Sequence, residues 1–252
     1  MDQELINAGT QNMNLPHDLV TLPSGGIYYK SKKKVVKVGY LTASDENTIA
    51  SAISNPSSNI ITTLIRSKLY EPELKVEELL DGDIEAILIF LRNTSFGHEY
   101  FFSITDTKTN KKFESSILLD ELNIKKTEVT PDENGHLTTV LPRSGDTIKL
   151  KLMSYGEQRE LESIINQYPV GRTVPSITLR LNKEIVSING NEDKIFISTY
   201  IENLPIMDSK HIRKFLNNNN PGLDLKRKVR TPSGEMVDIN ITFGVEFFRP
   251  FF

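Results

Sequence analysis

Cysteine is absent from the 252-residue chain. That excludes disulfides, thiolate nucleophiles and every cysteine-bound zinc or iron–sulfur centre, and it suits a protein made in a reducing cytoplasm. A metal would need oxygen or histidine ligands, yet His17, His98, His136 and His211 stand apart in the sequence, with no helix-spaced pair. Long apolar runs are missing too. The longest, residues 86–91, is far below the roughly 20 residues of a membrane-spanning helix. Residues 1–14 carry Asp2 and Glu4 rather than a basic stretch followed by an apolar one, so no secretion signal is expected and the chain reads as soluble. Nor does one sign of charge dominate: 30 Lys and Arg against 33 Asp and Glu give a net charge of −3, which supplies no general field for nucleic acid.

Motifs for catalysis are also lacking. No Gly-x-Ser-x-Gly elbow occurs, and Ser24-Gly25-Gly26 lacks the Gly-Lys-Ser/Thr ending of a phosphate loop, so it reads as a tight turn. Glu77, Glu78, Asp81, Asp83 and Glu85 do not have the register of a calcium loop and suit a helix N-terminus. Two basic runs, Lys32-Lys33-Lys34 and Lys226-Arg227-Lys228-Val229-Arg230, have no aromatic residues interleaved for base stacking. They read as charged hairpin tips and edge strands. The expectation is a non-enzymatic protein with no metal, no cofactor and no nucleic-acid partner.

What is present is enough apolar sequence, 38%, to build a core, and an internal echo. Leu22-Pro23-Ser24-Gly25 and Leu141-Pro142-Arg143-Ser144-Gly145 each lead into a half-buried strand pattern, Val36-Lys37-Val38 and Ile148-Lys149-Leu150-Lys151-Leu152. Helix-start signals follow, Thr42-x-x-Asp45 and the capping box Ser154-x-x-Glu157. Apolar residues at Ile49 and Ile53, then at Leu161, Ile164 and Ile165, give each helix one buried face. Further on, Asp83, Phe90 and Gly97 recur as Asp208, Phe215 and Gly222 at a constant offset of 125. Each glycine precedes a strand, residues 100–104 or 223–229, then a turn at residues 106–110 or 231–234 and a return strand. The pattern predicts an α+β protein of two similar strand–helix–helix–hairpin halves, an internal duplication. Residues 125–136 read as a linker or exposed loop and divide the chain into an N-terminal half, 1–130, and a C-terminal half, 131–252. Asn217 to Asn220 with Pro221-Gly222 should end a helix.

The C-terminus breaks the usual rule that chains end in polar, frayed sequence. Phe243, Phe247, Phe248, Phe251 and Phe252 put five of twelve phenylalanines in the last ten residues. They need burial, either in the protein's own core or against a neighbouring subunit, and Phe247, Phe248, Phe251 and Phe252 are the candidate partner-binding residues.

Several of these segments, taken in order, resemble the T-even-type phage baseplate hub family. The residues are Leu22-Pro23-Ser24-Gly25-Gly26-x-Tyr28, Leu41-Thr42-Ala43-x-Asp45-Glu46, the segment Leu91-Arg92-Asn93-Thr94-Ser95-Phe96-Gly97-His98-Glu99-Tyr100, Leu118-Leu119-Asp120-Glu121-Leu122, Leu141-Pro142-Arg143-Ser144-Gly145 and the closing Phe247-Phe248-Arg249-Pro250. The resemblance implies a virion structural protein, sited where tail tube and tape-measure protein meet the baseplate and assembled with other hub and tail proteins as a homo- or hetero-oligomer. It implies no catalytic residues. Relatives end in a Phe-Trp-Pro-like cluster, whereas this chain has Arg249 and no tryptophan, so its terminal contact differs. The rival expectation is an assembly chaperone that leaves before the virion matures.

Overall fold

The fold is that of a computed structural model in which residues 16–54, 60–169 and 171–248 are described. It is a mixed α+β structure of helices and small antiparallel sheets. Strand β1 (His17–Thr21) pairs antiparallel with β2 (Val35–Gly39), and helices α1 (Ala43–Ser54) and α2 (Ile60–Lys68) follow. The chain then returns to β2 through a single bridge, Leu69 opposite Val38. Helix α3 (Asp81–Phe96) leads to the hairpin β3 (Glu99–Thr105) and β4 (Lys112–Leu118).

A similar order recurs after the loop, with one strand and one helix more. Strands β5 (Leu137–Val140) and β6 (Thr147–Leu150) pair, and helices α4 (Tyr155–Asn166) and α5 (Ser176–Glu184) follow. Strand β7 (Ile185–Ile188) returns to β6 where the first half has only a bridge. Helices α6 (Lys194–Glu202) and α7 (Ile206–Asn218) precede the hairpin β8 (Lys226–Arg230) and β9 (Met236–Asn240). The expected strand over 223–229 is shorter: Leu223 makes only a bridge to Ile124, and the ladder begins at Lys226.

Local chemistry explains most of these boundaries. Ser154 accepts from the Glu157 amide while Glu157 accepts from the Ser154 amide, the reciprocal cap expected at the start of α4. Helix α1 is started by Asp45, whose carboxylate takes both the amide and the hydroxyl of Thr42 at 2.7 Å. Of the expected α1 stripe, Ile49 is buried, and the Ile53 side chain lies outside the described residues. Helix α7 stops at Asn218, just before Pro221. Helix α6 is the element its composition conceals. Ile195, Phe196, Ile197, Thr199, Tyr200 and Ile201 have strand propensity, but the Asp193 side chain accepts from the Phe196 amide at 2.7 Å and commits the segment to a helix.

Two apolar clusters form the core. One gathers residues from β1 to β4, among them Leu22, Val36, Leu64, Ile87 and Leu91. The other lies within residues 137–216, with Leu141, Ile148, Leu150, Ile185, Ile201 and Ile212. The end of the chain does not join the second. Leu223, Leu225, Ile241, Phe247 and Phe248 all pack into the first cluster.

The halves approach closely at Gly82, in the first turn of α3. A Cβ there would stand 2.3 Å from the Pro221 carbonyl oxygen and 2.4 Å from the Gly222 Cα, so only glycine fits. Beside it, the Lys125 amide donates to the Gly222 carbonyl and the Asp224 amide to the Asn123 carbonyl, both at 2.8 Å. The loop of residues 125–136, although largely exposed, is therefore tied down at one end. Buried Asn219 adds to this, its Oδ1 accepting from the Glu128 and Val129 amides.

Candidate protein-binding surface

The repeated Leu-Pro turns owe their shape to two carboxylates. Asp83 and Asp208, each the third residue of its helix, have no exposed surface. Asp83 accepts the Ser24 amide at 2.9 Å and the Tyr29 hydroxyl, which itself accepts from the Leu80 amide. Asp208 accepts the Arg143 amide at 2.8 Å and the Ser144 amide at 3.0 Å. Burial pushes the Asp83 carboxyl above its usual range, against the pull of the Ser24 and Tyr29 bonds, and burial also raises the Tyr29 hydroxyl. These carboxylates brace turns and are closed to a substrate.

The other acids of the 77–85 group are also engaged locally. Glu77 pairs with Arg66, Glu78 accepts from the Lys75 amide at 3.0 Å, and Asp81 accepts from Gln158 at 2.7 Å. Glu85 lies near Lys125; burial pushes its carboxyl up to about 7. The histidines are scattered as the sequence suggests. His17 meets Tyr70 edge-on, His98 pairs with Asp120, His136 stands 3.8 Å from Asp132, and His211 Nε2 lies 3.0 Å from Thr139 Oγ1. Among the described residues, no three His, Asp or Glu side chains are grouped to hold a metal. Nor is any described helix long and apolar enough to cross a membrane. In the first basic run, Lys33 pairs with Glu71 and Lys32 Nζ donates to the Ile27 and Glu133 carbonyls, whereas Lys226, Lys228 and Arg230 stand exposed along β8.

The C-terminal aromatics require a correction. Phe247 and Phe248, expected as partner-binding residues, are each 1% exposed in the chain's own core. Phe247 sits 5.3 Å from the Tyr100 ring, 4.8 Å from Phe243 and 5.4 Å from Phe248, with the Arg92 guanidinium 5.8 Å from its centre. Arg92 is itself held by the Gly97 and Glu99 carbonyls, so the pocket for Phe247 is built by α3 and β3. Phe251 and Phe252 lie outside the described residues.

Open apolar surface lies elsewhere, on α6 and the start of α7. Ile195 is 80% exposed, Ile206 74% and Met207 62%, with Phe196 partly open. Phe196, Tyr200 and Asn203 follow one side of α6 toward Pro205 and line a shallow groove of about 380 Å³. Its wall is stiff: the Tyr200 hydroxyl donates to Asp146 Oδ2 at 2.6 Å, and Asn189 donates to Oδ1 at 2.7 Å. The Tyr200 and Asn189 bonds hold the Asp146 carboxyl below its usual range, while burial, with Asp146, pushes Tyr200 up to about 12. Apolar side chains beside an ordered polar rim are suited to protein contact rather than to chemistry. Sequence reasoning missed this surface. Its signal was present in the Ile195-Phe196-Ile197 run and the Pro205-Ile206-Met207 start, where apolar residues exceed what one buried helix face needs.

Comparison with known proteins agrees with a role in assembly. A family model described as T4 bacteriophage base plate protein matches residues 26–249. No curated protein and no solved structure matches the chain. The matched segment runs from the Gly26 turn to the closing aromatic turn and takes in both halves, and the chain therefore belongs to the T4 bacteriophage base plate protein family.

Proposed function

We propose that this baseplate protein is a non-catalytic subunit of the hub of a contractile phage tail, made in the host cytoplasm and built into the virion by binding other tail proteins. The observation that carries the reading is the apolar surface of α6 and α7, where Ile195, Ile206 and Met207 face solvent in a chain whose Phe247 and Phe248 are already inside. Such side chains gain from coverage, about 1.5–3 kcal/mol for each one fully buried. We also read the halves 1–130 and 131–252 as products of duplication. Two features support this: the similar element order, and the paired roles of Asp83 and Asp208 in bracing the Leu-Pro turns.

Quantitative mass spectrometry of purified particles tests the role. A hub subunit is present at fixed stoichiometry with the other baseplate proteins. Absence from particles whose tails nonetheless require the gene product would replace this reading with that of an assembly chaperone. Met207→Glu, at an exposed position, should leave the melting temperature unchanged and lower incorporation into baseplates at least tenfold.

A further inference from the structure

The groove beside α6 is electrically lopsided. Its lining carries one charged group, the half-buried Asp146 carboxylate, and no lysine or arginine. What acts on that carboxyl is the Tyr200 and Asn189 hydrogen bonds, then burial and the Ser144 hydroxyl, with no cation among them. Besides burial and Asp146, the Asp208 carboxylate acts on the Tyr200 hydroxyl in the same direction, so the field at the groove is negative. Other acids of the chain are matched: Glu71, Asp45, Glu157 and Glu184 each pair with a Lys or Arg. The Asp146 charge is left for a cation from outside.

The rest of the lining narrows the choice of cation. Phe196 and Tyr200 stand 6.3 Å apart between ring centres, tilted by 37°, on the wall that carries the carboxylate. A cation over the face of such rings is attracted by their quadrupoles, and a planar one also stacks. Acceptors are in surplus. Asn203 donates its side-chain amide to the Thr199 carbonyl at 2.9 Å, which leaves its amide oxygen as an acceptor, and a carboxylate oxygen accepts more than the single bond that Tyr200 or Asn189 gives it. A negative charge, spare acceptors and two ring faces together select a flat cation with many donors and no acceptor. That describes the guanidinium of arginine, whereas the lysine ammonium is a compact point charge with no face to stack. The groove volume of about 380 Å³ lies at the low end of the roughly 300–1,000 Å³ range of ligand pockets and suits one side chain.

We propose that the groove beside α6 receives an arginine side chain of a partner protein, its guanidinium stacked on Phe196 and Tyr200 and paired with Asp146. The inference rests on the reading that this chain binds other tail proteins, and it gives that contact a stated chemistry. Titrating N-acetyl-argininamide into the isotope-labelled full chain, followed by NMR, should give saturable shifts at residues 146 and 196–203, with Kd on the order of 1–10 mM. The citrulline analogue, which has the same shape without the charge, should bind about tenfold more weakly or worse. Asp146→Asn, which keeps an acceptor for Tyr200 and removes the charge, should weaken the arginine probe by a similar factor. Phe196→Ala, at a partly exposed position, should weaken it about threefold or more. Lack of saturation, shifts centred elsewhere, equal binding of the citrulline analogue, or unchanged binding to a folded Asp146→Asn protein would each overturn the proposal. Should Asp146→Asn not fold, unchanged binding to Phe196→Ala would do so instead. None of these results bears on whether the protein is present in purified particles, so the two readings fail separately.

Discussion

Asp83 and Asp208 show how a buried charge can specify a turn. Neither carboxylate has a cationic partner among its hydrogen bonds; each is met by N–H groups of the Leu-Pro turn, with the Tyr29 hydroxyl added for Asp83. Removing such a group strands the donors that it satisfied, and the stranded donors cost more than the bonds were worth. Asp83→Ala should therefore destabilise the protein by about 2–4 kcal/mol in urea unfolding, and Asp208→Ala by a similar or smaller amount. A loss under about 0.5 kcal/mol at either site would mean that the turn holds its shape without the carboxylate. Glu85 works in the other direction. Burial keeps its proton in the folded state to about pH 7, whereas the unfolded chain loses it near the ordinary value of 4.5. The folded state thus binds more protons within that window, so the Glu85 contribution to stability falls as pH rises through it. Glu85→Gln should raise stability at pH 8 by on the order of 1–3 kcal/mol and have little effect at pH 4, as read by thermal melts at the two pH values.

The two hairpins belong to opposite halves, yet their tips are clasped. Asp106, at the first tip, accepts the Lys108 and Thr109 amides from its own turn and the Ser233 amide and hydroxyl from the other. Thr107 donates to Glu235, and Lys108 stands 3.4 Å from the same carboxylate. Burial would lift the Asp106 carboxyl, but the Ser233 and turn bonds together outweigh it and hold the group at about 2. Its contribution to stability is accordingly present above about pH 3.8 and lost as pH falls toward 2. Asp106→Ala should release the tips without unfolding the cores. Hydrogen exchange should speed up at residues 107–110 and 231–235 and stay unchanged in α3 and α7, whereas faster exchange throughout both helices would show that the clasp supports the whole fold. Isolated two-stranded hairpins are marginal in water, which gives this tip-to-tip contact its structural value.

At the scale of the whole molecule, chain order and packing part company. Residues 223–248 belong to the second half in sequence but fill the first half's core, through Leu223, Leu225, Ile241, Phe247 and Phe248. The second cluster draws no buried member from beyond Leu216. Truncation after Gly222 should therefore damage the distant half of the sequence. Exchange protection should collapse around Leu64, Ile87 and Leu91 and persist around Ile148, Ile185 and Ile212. The single change Phe247→Ala should cost about 3–5 kcal/mol by the same route, through the cavity left among Tyr100, Phe243 and Phe248. Equal loss in both clusters would mean that they fold as one cooperative unit.

The sequence by itself determined those features whose cause is local. The caps at Thr42 and Ser154, the stop before Pro221, the tight turn at Gly25 and the hairpin turns all follow from residues in direct succession, and the α+β class follows from the mixture of periods. Elements without a local signature escaped it. Strand β1 buries only Val20 of its five residues, so no alternation marks it, and α6 carries strand-forming residues that only the Asp193 cap and its packing against β7 and α5 make helical. Where the apolar surplus goes was beyond local reading altogether. Phe247 and Phe248 demanded burial in either of two places, and the choice fell to Arg92, Tyr100 and the core of the other half, which stand near residue 247 only once the chain has folded. The exposed Ile206 and Met207, and the groove beside Asp146, were decided in the same way. Burial is a sum over neighbours distant in sequence, and tertiary packing alone sets which apolar groups it leaves facing solvent.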